Sequence, residues 1–193
     1  MSKDTVLARF HAERAQASEA EDPMAALLSL ATVNPAGDPE VRTLVLRELQ
    51  DQLAIFINRT SPKWQALQTN TKLQFMTYWP SRMLQYRFDC NWSEIDQTLV
   101  HPSWLLRPES PRRLDHVYET QAPQSTVVGD RNRLLAHATA VPSTQLETPT
   151  ASATGLFLHP VCVERLDLNK QGQPHDRCRY RSDNDWQEEV LVP

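Results

Sequence analysis

The chain has 193 residues, 40% of them hydrophobic, with 20 Lys and Arg against 24 Asp and Glu and a formal net charge of −4. That length and composition describe a globular chain able to bury a core without disulfide staples, and the excess of acid argues against nucleic-acid binding. No apolar run reaches the length of a membrane span, and the polar start MSKDTVLARFHAERAQASEAED lacks the apolar centre of a signal peptide, so a cytoplasmic protein with no membrane partner is expected.

The segment TVLARFHAERAQASEA carries Val6, Leu7, Phe10 and Ala15 at helical spacing and predicts a helix within residues 1–22. After Pro23, Leu28, Leu30, Thr32 and Val33 read as a buried strand, NPAGDPE as a turn, and VRTLVLREL as a second strand hairpin-paired to the first. LAIFIN is a third strand. SPKWQALQTN opens a helix, with Ser61 as N-cap and Pro62 at the first helical position. LQFMTYWP and LQYRFDCNWSEI are two more strands. Residues 100–150, broken by Pro102, Pro108, Pro111 and Pro123, read as an insertion of helices and loops, with PTASATG as its closing loop. LFLHPVCVERLDLN, DRCRYRS and WQEEVLVP are three final strands, separated by the turns KQGQPH and DND. Consecutive hairpins without strand–helix alternation predict a mainly β, α+β fold, an antiparallel barrel with peripheral helices, in one domain over 1–193.

The cysteines Cys90, Cys162 and Cys178 have neither disulfide nor zinc spacing and read as small core residues. Lysine is rare and arginine plentiful, the cation suited to planar recognition of phosphate or carboxylate. In VRTLVLRE, strand alternation puts Arg42, Leu44 and Leu46 on one face and Thr43, Val45 and Arg47 on the other. The pattern alone slightly favours arginines that reach for water from the strand ends, with an anion partner as the alternative. Ser61 and Lys63 at a helix N-terminus make an anion site of free N–H groups, hydroxyls and an ammonium, although most such helix starts bind nothing. Gln85, between Leu84 and Tyr86, requires a hydrogen-bond partner, either a backbone carbonyl or the edge of a ligand ring. Arg177, Arg179 and Arg181 share one face of the last strands and read as a solvated edge. No nucleophile triad, metal-ligand spacing or glycine-rich loop is present, so a metal is not expected and a cofactor would carry any hard chemistry.

Taken in order, LATVNPAGDPEVRTLVLRE, IFINRTSPKWQALQTN, YWPSRMLQYRF and the ending VERLDLNKQGQPHDRCRYRSDNDWQEEVLVP resemble the FMN-binding split-barrel family of pyridoxamine 5′-phosphate oxidase. The resemblance implies a split antiparallel barrel, FMN as cofactor, and a homodimer with FMN at the subunit interface. It implies that Arg42 pairs with the FMN phosphate and that Thr43, Leu44 and Val45 present backbone to the ring. Ile57 and Asn58 would lie beside the ring, and Ser61 and Lys63 would complete the phosphate cradle. Gln85 would reach the flavin of the partner subunit, and Gln124, Ser125 and Arg177 would make further flavin contacts. Arg47 stands where the family has a lysine that touches flavin and substrate, so Arg47 and His175 are the candidate catalytic residues. Arg107 and His175 are the candidate substrate contacts.

The departures fall on the substrate side. Gln173 and Pro174 precede His175, where a substrate-phosphate arginine would stand. Ser103 falls at a tyrosine position, Pro111 at a serine position, and Pro62 at an arginine beside Lys63. Leu166 or Asp167 stands where a tryptophan is expected. The resemblance therefore implies an FMN-dependent oxidoreductase of uncertain small-molecule substrate. The alternatives are a flavin-binding carrier or sensor without turnover, and a non-catalytic barrel.

Overall fold

The computed structural model describes residues 1–169 and 171–193. Lys170, at the start of the turn expected over KQGQPH, lies outside the described residues.

Helix α1 (Lys3–Glu19) starts at Ser2, whose side chain accepts the Thr5 N–H, and buries Val6, Phe10 and Ala17. Ala15 faces solvent instead, because the buried stripe drifts to Ala17. Strands β1 (Leu27–Val33) and β2 (Pro39–Val45) form the expected hairpin, from Leu27↔Val45 to Val33↔Pro39. Leu28, Leu30 and Thr32 of β1 point inward, whereas Val33, expected to be buried, is exposed at the hairpin end.

VRTLVLREL is two strands, not one. Leu46 is buried and sends its N–H to the Ala26 carbonyl, which ends β2 and starts β3 (Arg47–Leu49). β4 (Gln52–Asn58) follows, then α2 (Pro62–Thr69), β5 (Leu73–Trp79) and β6 (Leu84–Glu94). The insertion holds α3 (Gln97–Leu105), α4 (Glu109–Thr120) and α5 (Arg131–Ala140). β7 (Ala153–Asp167) begins inside the segment read as a loop, because Ala153–Phe157 pairs along β4. β8 (Asp176–Arg181) is as expected, and the last strand shrinks to β9 (Glu189–Val190) on its edge.

The sheet order is β2-β1-β5-β6-β7-β4-β3, with β8 and β9 branching from β7, and the described pairings are antiparallel. The sheet curls into a split barrel with the helices around it. β7 makes the split: its first part pairs with β4 and its last part, Cys162–Asp167, with β8. The β6–β7 register shifts between Asp89 and Cys90, opposite Cys162 and Pro160. Pro160 has no N–H to give the ladder, so a bulge there is the tolerated solution.

Alternating positions of β1, β5 and β6 fill the core, and α1 covers it. Phe10 is fully buried, with ring centroids 4.9 Å from Phe88, 5.1 Å from Tyr86 and 5.6 Å from Trp79. A polar clamp holds the same helix. Glu13 accepts from the Tyr86 hydroxyl and from buried Arg165, at 3.1 Å to Nε and 3.0 Å to Nη2. Burial and the Glu13 bond push the Tyr86 hydroxyl well above its ordinary pKa. Cys90 and Cys178 are buried and Cys162 is half-buried; all three are free thiols. Among the described residues, no helix is long and apolar enough to cross a membrane.

Removing the Phe10 ring leaves a cavity lined by three aromatic side chains. Phe10→Ala should therefore lower unfolding free energy by about 3–5 kcal/mol, read from urea unfolding. A loss below about 1 kcal/mol would show that α1 is not part of the cooperative core.

Candidate functional site

Strand β2, the start of α2 and one loop of the insertion meet around a cleft of about 570 Å3 lined by Arg42, Thr43, Leu44, Lys63, Gln124 and Ser125, among others. Arg42 does not reach for water. Its Nη1 donates to Thr32 Oγ1 at 2.7 Å and to the Glu40 carbonyl at 3.1 Å, and its Nη2 to Glu40 Oε2 at 2.6 Å. Lys63, in the first turn of α2, is buried, and its Nζ donates to Gln124 Oε1 at 3.1 Å. Burial, and then the neighbouring Arg42, bring the Lys63 ammonium down to about 8.

Asn58, Thr60 and Gln124 hold this cleft together. Asn58 Oδ1 accepts from the Thr60 N–H at 2.9 Å and from its hydroxyl at 2.7 Å. Thr60 Oγ1 in turn accepts the Gln124 N–H at 3.2 Å. The next residue, Ser125, has a φ of 74°, in the left-handed region that a non-glycine rarely adopts. That turn seats the Gln124–Ser125 pair against the cleft. Asn58 Nδ2 also donates to Ser152 at 3.0 Å and to Asp115 Oδ1 at 3.3 Å.

Asp115 is a hub that the sequence reading missed. It is 3% exposed and accepts from Trp104 Nε1 at 2.7 Å and Arg107 Nη1 at 2.5 Å. Its neighbours Leu114 and Val117 do not share its helix face, so the apolar pattern of α4 gave no signal for it. Thr32 and Glu40, the partners of Arg42, and Thr60 were missed as well.

The structure brings Arg42, Thr43, Leu44, Lys63, Gln124 and Ser125 together. Ile57, Asn58 and Arg107 border an adjoining cavity. Ser61, expected in the cradle, has no exposed surface. Its Oγ accepts the Trp64 N–H at 3.4 Å, so it serves as the helix cap, and Pro62 and Lys63 form the cleft wall. Val45 and Arg47 are exposed and border neither cavity. His175 is exposed and, among the described residues, makes no hydrogen bond.

Gln85 and Arg177 belong to a second cluster. Gln85 pairs with Leu166, and Leu166 with Arg177, so the three form one row across β6, β7 and β8. Of the two residues at the expected tryptophan position, Leu166 is the one in this row. Arg177 is held by the buried carboxylate of Glu164, with Nε 2.9 Å from Oε1, while Arg87 takes the other oxygen at 2.7 Å. Neither Gln85 nor Arg177 borders the Arg42–Lys63 cleft of its own chain.

Lys63 is the informative group. A buried ammonium with one neutral acceptor, at a helix N-terminus and affected more by Arg42 than by the carboxylate of Asp115 or of Glu40, is under-compensated. A phosphate group in the cleft would supply the missing negative charge, so these residues fit the phosphate end of FMN. A hollow of about 520 Å3 around Ala31, Leu73 and Val161 has Lys72 as its cation, with Asp89 on the same wall. It offers no comparable anion site.

A profile described as the pyridoxamine 5′-phosphate oxidase FMN-binding domain matches residues 8–96. The pyridoxine/pyridoxamine 5′-phosphate oxidase of Actinobacillus succinogenes is 30% identical over 173 residues, covering 86% of this chain and 79% of that protein. The chain belongs to the pyridoxamine 5′-phosphate oxidase family. The oxidase of the same name from Pseudomonas putida is 28% identical over 192 residues, covering 96% of this chain and 87% of that protein. Among solved structures, PhzG from Burkholderia lata, in complex with tetrahydrophenazine-1-carboxylic acid, superposes with a TM-score of 0.81 at 23% identity, covering 100% of this chain and 93% of the other. A pyridoxamine 5′-phosphate oxidase-related, FMN-binding protein from Nostoc punctiforme gives 0.74 at 23% identity, covering 94% and 95%. The split barrel of the oxidase family is thus the fold of this chain, as the resemblance implied.

The pH dependence of anion binding tests the cleft. Lys63 is charged below about pH 8 and loses its proton above it. Affinity for FMN or for the inorganic phosphate dianion should be level from neutral pH to about pH 8 and fall above it, approaching tenfold per pH unit. Lys63→Arg should flatten the profile, as followed by fluorescence titration for FMN and calorimetry for phosphate. An unchanged slope in that variant would remove Lys63 from the site.

Proposed function

We propose that this protein is a cytoplasmic, single-domain FMN-dependent oxidoreductase that works on a small molecule as a homodimer. The observation that carries this reading is the under-compensated Lys63 beside Arg42 at the start of α2. Arg42 and Lys63 would bind the FMN phosphate, Arg42 exchanging its Glu40 contact for a bidentate phosphate pair. The backbone of Thr43, Leu44 and Val45 would run along the ring, with Ile57 and Asn58 beside it. Gln124 and Ser125 would contribute polar contacts from the insertion. When bound, FMN supplies a hydride acceptor that the side chains lack.

The Gln85–Leu166–Arg177 row lies outside the cleft, which favours a site completed between two copies. Gln85 of the partner subunit and Arg177 of the partner subunit would then face the ring, and His175 of the partner subunit would approach the substrate. Arg47 would hold positive charge beside the ring. The Actinobacillus and Pseudomonas relatives are named for pyridoxine and pyridoxamine 5′-phosphates. PhzG holds a tetrahydrophenazine carboxylic acid. Both point to a ring compound that gives up hydride.

The direct test is to add FMN to the purified protein, desalt it and record the visible spectrum. Retained flavin is the expected result, and a colourless protein would reject the reading. Flavin retained but not bleached under anaerobic conditions by any ring substrate tried would favour a carrier or sensor. Arg42→Ala should weaken FMN binding by at least about tenfold, the worth of a hydrogen bond to a charged group. Equal affinities by fluorescence titration would reject Arg42 as the phosphate ligand. In a mixed dimer, Gln85→Ala should impair the flavin bound by the unmutated chain. Loss confined to the mutated chain's own cleft would refute the shared site.

A further inference from the structure

Beside the Arg42–Lys63 cleft, and sharing Leu44, Lys63 and Gln124 with it, is a cavity of about 170 Å3. Phe56, Pro111, Leu114 and Tyr118 form one wall of it, apolar and partly aromatic. Its polar wall is Asp115 with Arg107 and Asn58. Arg107 is the cation that a phosphorylated substrate would need here, and it is already engaged. Its Nη1 lies 2.5 Å from Asp115 Oδ2. Trp104 holds the same oxygen at 2.7 Å, and Asn58 approaches the other at 3.3 Å. The carboxylate is buried and pinned from three directions, so it cannot swing away to release the guanidinium.

The charges on this wall decide what can enter. Arg107 and Asp115 cancel. Lys63, the remaining cation, gives its ammonium to Gln124 and serves the adjoining cleft. A phosphate monoester carries close to two negative charges at neutral pH. Here it would meet a fixed carboxylate and would have to share one guanidinium with it. A flat ring without charge meets no such opposition and has Phe56, Leu114 and Tyr118 to pack against.

We propose that this cavity receives the ring of the reacting substrate, that this ring is uncharged and carries no phosphate, and that Asp115 is the residue that excludes the phosphate ester. The proposal rests on the flavin reading above, because the cavity is a substrate site only if the adjoining cleft holds the flavin.

Pyridoxine and pyridoxine 5′-phosphate differ by the phosphate alone and make the matched probes. FMN occupancy is measured first from visible absorbance, and each probe is then titrated calorimetrically into the loaded protein. The ester should bind the native chain no more tightly than pyridoxine does. Asp115→Asn leaves Arg107 uncompensated, and the ester should gain at least about tenfold while pyridoxine changes by less than about threefold. Because Asp115 is buried, Pro111→Arg is the second variant; one turn before Asp115 on α4 it adds a cation that can pair with that carboxylate and free Arg107, and the ester should gain there too. An ester at least about tenfold tighter than pyridoxine on the native chain would overturn the proposal. So would the absence of any gain in both folded variants. A protein that retains no FMN overturns the flavin reading instead, and the same titrations on that protein then decide the charge argument by itself.

Discussion

Pro160 cannot give a hydrogen bond to the sheet, and much of the architecture follows from where it sits. It lies in β7, the longest strand, at the place where the register with β6 shifts. Before it, β7 runs beside β4; after it, beside β8. One strand therefore serves two separate edges, and the sheet opens between them. The β4 edge ends at Asn58 and leads into the cleft. The β8 edge carries Arg177 into a row with Gln85. Two groups of polar residues are thus held at different places on the same chain.

Charge pairing distinguishes these places from the rest of the interior. Burying an ion without a partner is costly, and most of the buried ions here are paired. Arg165 has Glu13, Glu164 has Arg87 and Arg177, and Asp115 has Arg107. Asp22 is compensated by the backbone N–H groups of Met24 and Ser81. Lys63 departs from this rule: a neutral amide oxygen is its acceptor, and the carboxylates of Asp115 and Glu40 each act on it less than burial or Arg42 does. Such a departure at a helix start, in a fold that otherwise compensates its ions, is what a binding site for an anion requires.

Local pattern made a good part of the fold legible. Alternation located the strands, and Ser61 and Pro62 marked the start of α2. The errors came where tertiary contacts override pattern. Leu46 looks like one more strand residue, yet its N–H turns to Ala26 and divides the segment. Ala153 looks like loop, yet β4 recruits it. Ser61 reads equally well as a cap or as a phosphate ligand, and only its complete burial separates the two. Of the candidate site, Lys63 was marked by its place at a helix start, whereas Arg42 as a phosphate partner, Gln124 and Ser125 came from resemblance to a family. Their supporting residues, Thr60 and Asp115, were hidden because hydrogen bonds between residues some 60 apart leave no local signature.

Those long spans also bear on how the molecule comes into being. The bonds Asn58–Asp115, Lys63–Gln124 and Thr60–Gln124 close loops of 57, 61 and 64 residues. Contacts of such separation form late, since chain entropy opposes them until neighbouring structure is in place. While the chain is being synthesised, β1 to β6 can emerge and pair with the anion cleft still lacking one wall. That wall arrives with the insertion, and β7, which joins β4 to β6, arrives later still. A growing chain thus has no finished cleft until most of it has left the ribosome.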